Sequence, residues 1–155
     1  MLRYVLASHG ELARGMCDSV RMLLGESVEL WPVCAYVQAD EPISEQIEAA
    51  FARFSLQDDI IVMTDLFGGS VNTTFAQLLQ KRNFYLVTGV NLGLVIDLLT
   101  IDGRNIEEEI RFAVERNRKA MQFCNPLDVY KRQDDERALE KQYGGGALYS
   151  HQQYG

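Results

Sequence analysis

Two short segments hold the residue types that could carry chemistry. One is Ser8-His9-Gly10; the other is Asp65-Leu66-Phe67-Gly68-Gly69-Ser70. A histidine nitrogen is a nucleophile toward phosphorus near neutral pH, because a large fraction of imidazole is unprotonated there. A carboxylate such as Asp65, bonded to the other ring nitrogen, would fix the tautomer and stabilise the charge the ring gains during transfer. Gly68, Gly69 and Ser70 would offer backbone N–H groups at a helix start, where the helix dipole favours an oxyanion. Glycine also lets a ligand approach without a Cβ in the way. Each residue has a plainer reading. A loop histidine is commonly just polar, a Gly-Gly-Ser is commonly a turn plus an N-cap, and Asp65 could cap a turn. Asn91 could simply tolerate a left-handed backbone. On the residues alone, a phosphoryl carrier and an anion-binding crevice both remain open.

The surrounding pattern must bring these segments together. Tyr4–Ala7 is a short apolar run that reads as a first strand. Leu12, Met16, Val20 and Leu23 then recur at helical spacing, with Ser8 and Glu11 at capping-box positions and Gly25 as the stop. Val28–Val37 reads as a second strand, and Pro32 inside it marks an edge. Asp40-Glu41-Pro42 signals a helix carrying Ile43, Ile47, Phe51 and Phe54 on one face. Ile60–Thr64 is continuously apolar, as a central parallel strand buried on both faces would be. Ser70 is the expected N-cap of a helix bearing Val71, Phe75, Leu78 and Leu79. Phe84–Val87 reads as a fourth strand, followed by helices over Leu92–Leu99 and Asn105–Arg116. Alternating strands and helices predict an α/β domain with an open, mostly parallel sheet and right-handed connections. Ligands of such sheets bind beyond the carboxyl ends of the strands, where the strand order reverses. If the first and third strands are neighbours, His9 and Asp65 project into one crevice.

Composition narrows the function classes. The 155 residues suffice for one domain with a single core. A net charge of −7 argues against a nucleic-acid surface and is compatible with docking a basic protein. Three widely spaced cysteines (Cys17, Cys34, Cys124) and only two histidines (His9, His151) oppose a disulfide framework or a metal centre. No apolar run reaches membrane-spanning length, and the N-terminus lacks the sections of a signal peptide, so the chain is read as cytoplasmic without membrane insertion. No Walker-type Gly-Lys-Ser or GxGxxG appears, and no cofactor is expected. No GxSxG elbow supports a serine hydrolase, and adjacency of Ser8 and His9 makes a triad awkward. Strand–helix alternation ends near Gln122, so residues 123–155 read as an irregular or disordered tail. Asp128–Gln133, DVYKRQ, coincides with the translation of a transposon-end sequence used in DNA library preparation, and the tail is given no function.

Leu6-Ala7-Ser8-His9-Gly10, Thr64-Asp65-Leu66-Phe67-Gly68-Gly69-Ser70 and Thr88-Gly89-Val90-Asn91-Leu92 occur in order, each after an expected strand. Over residues 1–122 the chain resembles the EIIA component, or domain, of the mannose family of the bacterial phosphoenolpyruvate-dependent sugar phosphotransferase system. The resemblance implies strand order 2-1-3-4 and phosphorylation on His9, with Asp65 bonded to its ring. It implies Ser70 beside the phosphoryl group and Phe67 near the docking surface. It also implies HPr as donor, EIIB as acceptor, a functional link to the membrane components EIIC and EIID, and a homodimer. The shared antiparallel fifth strand of that dimer would have to come from around Ala120–Cys124. Val71-Asn72-Thr73-Thr74 departs from the proline and later asparagine of many relatives, and Ser8 stands where many have threonine. Two other functions fit the same fold: a phosphotransfer subunit of a dihydroxyacetone kinase, and a regulatory phosphohistidine module that transfers nothing onward. The sugar is not legible, because its selectivity lies in the membrane components.

Overall fold

A computed structural model describes residues 1–126. In chain order the elements are β1 Leu2–His9, α1 Leu12–Leu24, β2 Trp31–Ala35, α2 Ile43–Phe51, β3 Asp59–Thr64, α3 Ser70–Leu78, β4 Tyr85–Thr88, α4 Leu92–Leu99 and α5 Ile106–Ala120. The sheet has the order β2-β1-β3-β4, and every pairing is parallel. This is the expected α/β architecture. β1 and β3 lie at the centre, and the chain leaves them in opposite directions along the sheet, to β2 and to β4.

The two-residue period of the strands builds a core on each face. Leu6, Ile61 and Met63 point to one side, where Cys17 and Val20 of α1 and Val95 and Leu98 of α4 cover them. Val5, Ala7, Ile60 and Val62 point to the other, under Ile47 and Phe51 of α2 and Val71 and Phe75 of α3. Phe75 is fully buried, 6.5 Å from the Phe51 ring and edge-on to Phe84 at 6.2 Å. Replacing it with alanine removes both ring contacts and opens a cavity under α3. Phe75→Ala should lower unfolding stability by about 3–5 kcal/mol, read from urea denaturation.

Several boundaries differ from the sequence pattern for local reasons. β1 continues through His9, and the left-handed Gly10 (φ 57°) turns the chain, so α1 starts only at Leu12. The capping box does not form. Ser8 Oγ instead accepts from the Ala13 N–H at 2.7 Å, and Glu11 pairs with Arg14. β2 is shorter than Val28–Val37 because Tyr36 has φ 65°, which breaks the pleat directly after Ala35; Pro32 does lie on an edge strand. Gly69, rather than Ser70, is the N-cap of α3, and Ser70 is its first helical residue. Asn91 is extended, not left-handed, and caps α4 by accepting from the Leu94 N–H at 2.9 Å. α5 runs to Ala120, with Glu107–Glu109 in its first turn and Arg118 and Lys119 in its last, as the helix dipole favours. Residues 121–124 carry no strand, so the fifth strand expected around Ala120–Cys124 is not formed among the described residues. Most of the expected tail lies outside the described residues. Among those described, no helix is long and apolar enough to cross a membrane.

Candidate functional site

The register of the central strands sets the site. β1 pairs with β3 through Ala7↔Thr64, and with β2 through His9↔Ala35. The residues at and just beyond these strand ends, His9, Asp65 and Tyr36, therefore lie side by side at the carboxyl edge of the sheet. Gly10 N–H donates to the Ala35 carbonyl at 2.8 Å and ties the first loop to β2.

Asp65 anchors the group. Its Oδ2 accepts from the His9 backbone N–H at 2.8 Å and lies 2.8 Å from His9 Nδ1, while its Oδ1 accepts from the Leu66 N–H at 2.9 Å. Its side chain is 8% exposed and that of His9 is 38% exposed. Burial pushes the Asp65 carboxyl up, but hydrogen bonds from the His9 backbone and ring and from Leu66 outweigh it. The net result lies below the ordinary carboxylate value. An ionised carboxylate only accepts, so it assigns the proton of neutral His9 to Nδ1. Nε2 then presents a lone pair outward, 3.1 Å from Ser70 Oγ. A nucleophile held in this way fits attack on an electrophile arriving from solvent.

The glycine loop is built tightly against the ring. Gly68 is left-handed (φ 72°), and its N–H donates to Asn72 Oδ1 at 3.1 Å; Gly69 N–H donates to the Leu66 carbonyl at 3.1 Å. Asn72 is itself anchored through Nδ2 to Thr64 Oγ1 at 3.2 Å. Two of the three N–H groups expected to cradle an anion are thus engaged within the loop. The N–H groups of Ser70 and Val71, in the first turn of α3, have no acceptor inside the helix. A Cβ on Gly69 would lie 3.2 Å from His9 Cε1, so glycine is what allows the loop to close over the imidazole.

Sequence reasoning missed Tyr36. Its hydroxyl donates to Ser70 Oγ at 2.8 Å, and its ring centroid is 5.7 Å from that of His9. The sequence pattern places it inside the expected strand Val28–Val37, whereas β2 ends at Ala35 and leaves Tyr36 just beyond it. Phe67 and Leu66 protrude beside the site, 87% and 61% exposed. The crevice is open to solvent. A cavity of about 540 Å³, lined by Arg3, Arg21, Trp31 and Arg53 among others, opens at the opposite end of the sheet and shares no residue with the His9 cluster. The half-exposed imidazole thus lies beside two exposed apolar side chains and outside that cavity.

Comparison with known proteins adds the family and the fold. The family described as EIIA-man, PTS system fructose IIA component, matches residues 3–114. The mannose-specific EIIAB component of the phosphotransferase system of Escherichia coli K12 is 25% identical over 131 residues, 82% of this chain and 41% of that protein. The Shigella flexneri counterpart matches to the same extent, so the chain spans about two fifths of these curated relatives. A solved structure from Klebsiella pneumoniae, provisionally assigned as a phosphoenolpyruvate-dependent sugar phosphotransferase system permease, is 41% identical. It superposes with a TM-score of 0.74 over 80% of this chain and 91% of its own. The mannose/sorbose-specific IIA subunit from Enterococcus faecalis shares the fold at 20% identity and a TM-score of 0.66, over 82% and 95% of the two chains.

Proposed function

This chain belongs to the EIIA-man family of sugar phosphotransferase system components, and from that premise we propose that His9 carries a phosphoryl group from phospho-HPr to an EIIB component. One observation carries the proposal: Nδ1 of His9 is held 2.8 Å from the Asp65 carboxylate, which leaves Nε2 as an outward lone pair. Nε2 attacks phosphorus in line. The P–Nε2 bond forms as the P–N bond to the HPr histidine breaks, and the HPr imidazole leaves with that electron pair. Asp65 keeps the proton on Nδ1 and stabilises the positive charge on the ring. The Ser70 hydroxyl and the first-turn N–H groups of α3 face the incoming oxygens, and Gly68 and Gly69 let the group approach. Transfer to a nucleophile on EIIB reverses the step. Positioning and electrostatics supply the catalysis, as in other phosphoryl transfers.

The same open face serves donor and acceptor in turn, so both contacts are transient, with Phe67 and Leu66 as apolar anchors. The acidic net charge suits a basic partner surface. This role places the chain in the cytoplasm, coupled through EIIB to EIIC and EIID. A homodimer would cover the β4 edge, which has no strand beyond it among the described residues.

The direct test is incubation with Enzyme I, HPr and labelled phosphoenolpyruvate, followed by mapping of the labelled residue and addition of EIIB. Label on His9 that moves to EIIB is the expected result. Label that stays on His9 in the presence of EIIB would indicate a regulatory module or a kinase subunit instead. The loop gives a second expectation. Gly69→Ala keeps a backbone open to any residue (φ −67°, ψ 164°) but pushes its Cβ against His9 Cε1. His9 labelling should slow by roughly 10-fold, within the ~10²-fold that a 1 Å misplacement can cause, in a protein that remains folded by circular dichroism.

A further inference from the structure

We propose that Tyr36 is a positioning residue for the phosphoryl step, acting through Ser70 on His9 Nε2; this rests on the reading of His9 as the nucleophile. Three groups form a chain: Tyr36 OH, Ser70 Oγ 2.8 Å away, and His9 Nε2 a further 3.1 Å on. Proton bookkeeping gives the chain one direction. Asp65 accepts from Nδ1–H, so neutral Nε2 can only accept. Ser70 has one hydroxyl proton and must donate it to Nε2, which leaves its oxygen to accept from the phenol. The phenol is the stronger donor of the two hydroxyls and polarises the serine O–H toward the imidazole.

The backbone supplies a separate argument. Among the described residues Tyr36 is the one non-glycine with positive φ, at 65°. Bulky side chains rarely adopt this conformation, and it persists where the surroundings impose it, most often at functional sites. Here it ends β2 and carries the phenol across the front of β1 to α3. The ring is 63% exposed, so burial does not explain why it is held there.

When the phosphoryl group arrives at Nε2, the serine proton turns from the nitrogen to a phosphoryl oxygen. The phenol stays bonded to Ser70 Oγ through the transfer and keeps that hydroxyl aimed. Without the phenol, Ser70 keeps only its bond to Nε2, so both the resting lone pair and the transition-state oxyanion face a less firmly oriented donor.

The test is a double-mutant cycle on the full chain with Tyr36→Phe, Ser70→Ala and both together. Tyr36→Phe keeps the ring and the fold and removes one hydroxyl. It should slow His9 phosphorylation by phospho-HPr by roughly 2–10-fold, the factor set by one hydrogen bond. In the Ser70→Ala background it should have no further effect. In the unphosphorylated protein, the His9 Nε2 ¹⁵N resonance of the neutral ring should move downfield in Tyr36→Phe, in the same direction as in Ser70→Ala. Parent-like rates in Tyr36→Phe, an equal slowing on top of Ser70→Ala, or an unmoved Nε2 resonance would each overturn the relay. If the parent chain takes up no label at His9, the phosphocarrier reading fails, while the nitrogen resonance still decides the relay.

Discussion

His9→Ala is expected to take up no phosphoryl group from phospho-HPr and to remain folded. The loss is complete because, among the described residues, no other histidine can take over the attack. Nδ1 and Nε2 disappear together, and a serine hydroxyl at Ser70 lacks the base that would activate it. The fold survives because the imidazole is a partly exposed cap on β1, not a core element. Its removal leaves Asp65 Oδ2 bonded to the His9 backbone N–H at 2.8 Å and Oδ1 to Leu66 N–H, so the buried carboxylate keeps two of its donors. Stability should change by no more than about 1 kcal/mol. Acid-labile label on the protein, read beside circular dichroism, checks both halves. Label that persists in the folded variant would move the phosphorylation site elsewhere and remove the basis of the proposed transfer.

The sequence pattern reached the sheet because its signals were strong and local. Ile60–Met63 is apolar without interruption, and a strand covered on both faces has no solvent side to alternate with. Pro32 lacks the N–H that a central strand would need, so β2 had to lie at an edge. The local pattern leaves open whether β1 and β3 are neighbours; order 2-1-3-4, implied by the family resemblance and seen in the sheet, brings His9 beside Asp65 because both close central parallel strands.

What escaped depends on distances that no local pattern encodes. Tyr36 joins the site only because β2 ends at Ala35 in register with His9 and then takes a left-handed step. Nothing in the residues around it announces that step, since glycine is the usual marker of positive φ. Ser70 looked like an N-cap because serine commonly is one. Gly69 took that position instead, so the serine hydroxyl is free to face Nε2 rather than a backbone N–H. The glycine N–H groups looked available to an anion, yet Asn72 and the Leu66 carbonyl engage those of Gly68 and Gly69. Asn72 stands in the sequence without a role, because its bonds to Gly68 N–H and Thr64 Oγ1 exist only once β3 and α3 are folded together.

Asp65→Asn should slow His9 phosphorylation strongly without abolishing it. The carboxylate has two accepting oxygens, and three N–H groups converge on it. An amide has one. If its oxygen faces His9, its NH₂ confronts the Leu66 N–H. If it flips, the NH₂ faces Nδ1 and favours the tautomer with the proton on Nε2, which blocks the nucleophile. Either arrangement also removes the negative charge that offsets the developing imidazolium. Partners that orient a reacting group typically contribute about 10–100-fold, and the wrong tautomer in a serine-protease triad about 10⁴-fold. A fall between these limits is expected, with the label still on His9. The acid limb gives a second reading of the same interaction. The Asp65 carboxyl lies below its ordinary value in the fold, so the folded state holds fewer protons there than the unfolded chain does in acid. Its contribution is therefore present above the unfolded value of about 3.9 and is lost as pH falls through the lower folded value. In Asp65→Asn that pH dependence is gone, and stability against pH below about 4 should be flatter than in the parent. Rates equal to the parent, or acid profiles that superimpose, would leave the carboxylate without the part assigned to it.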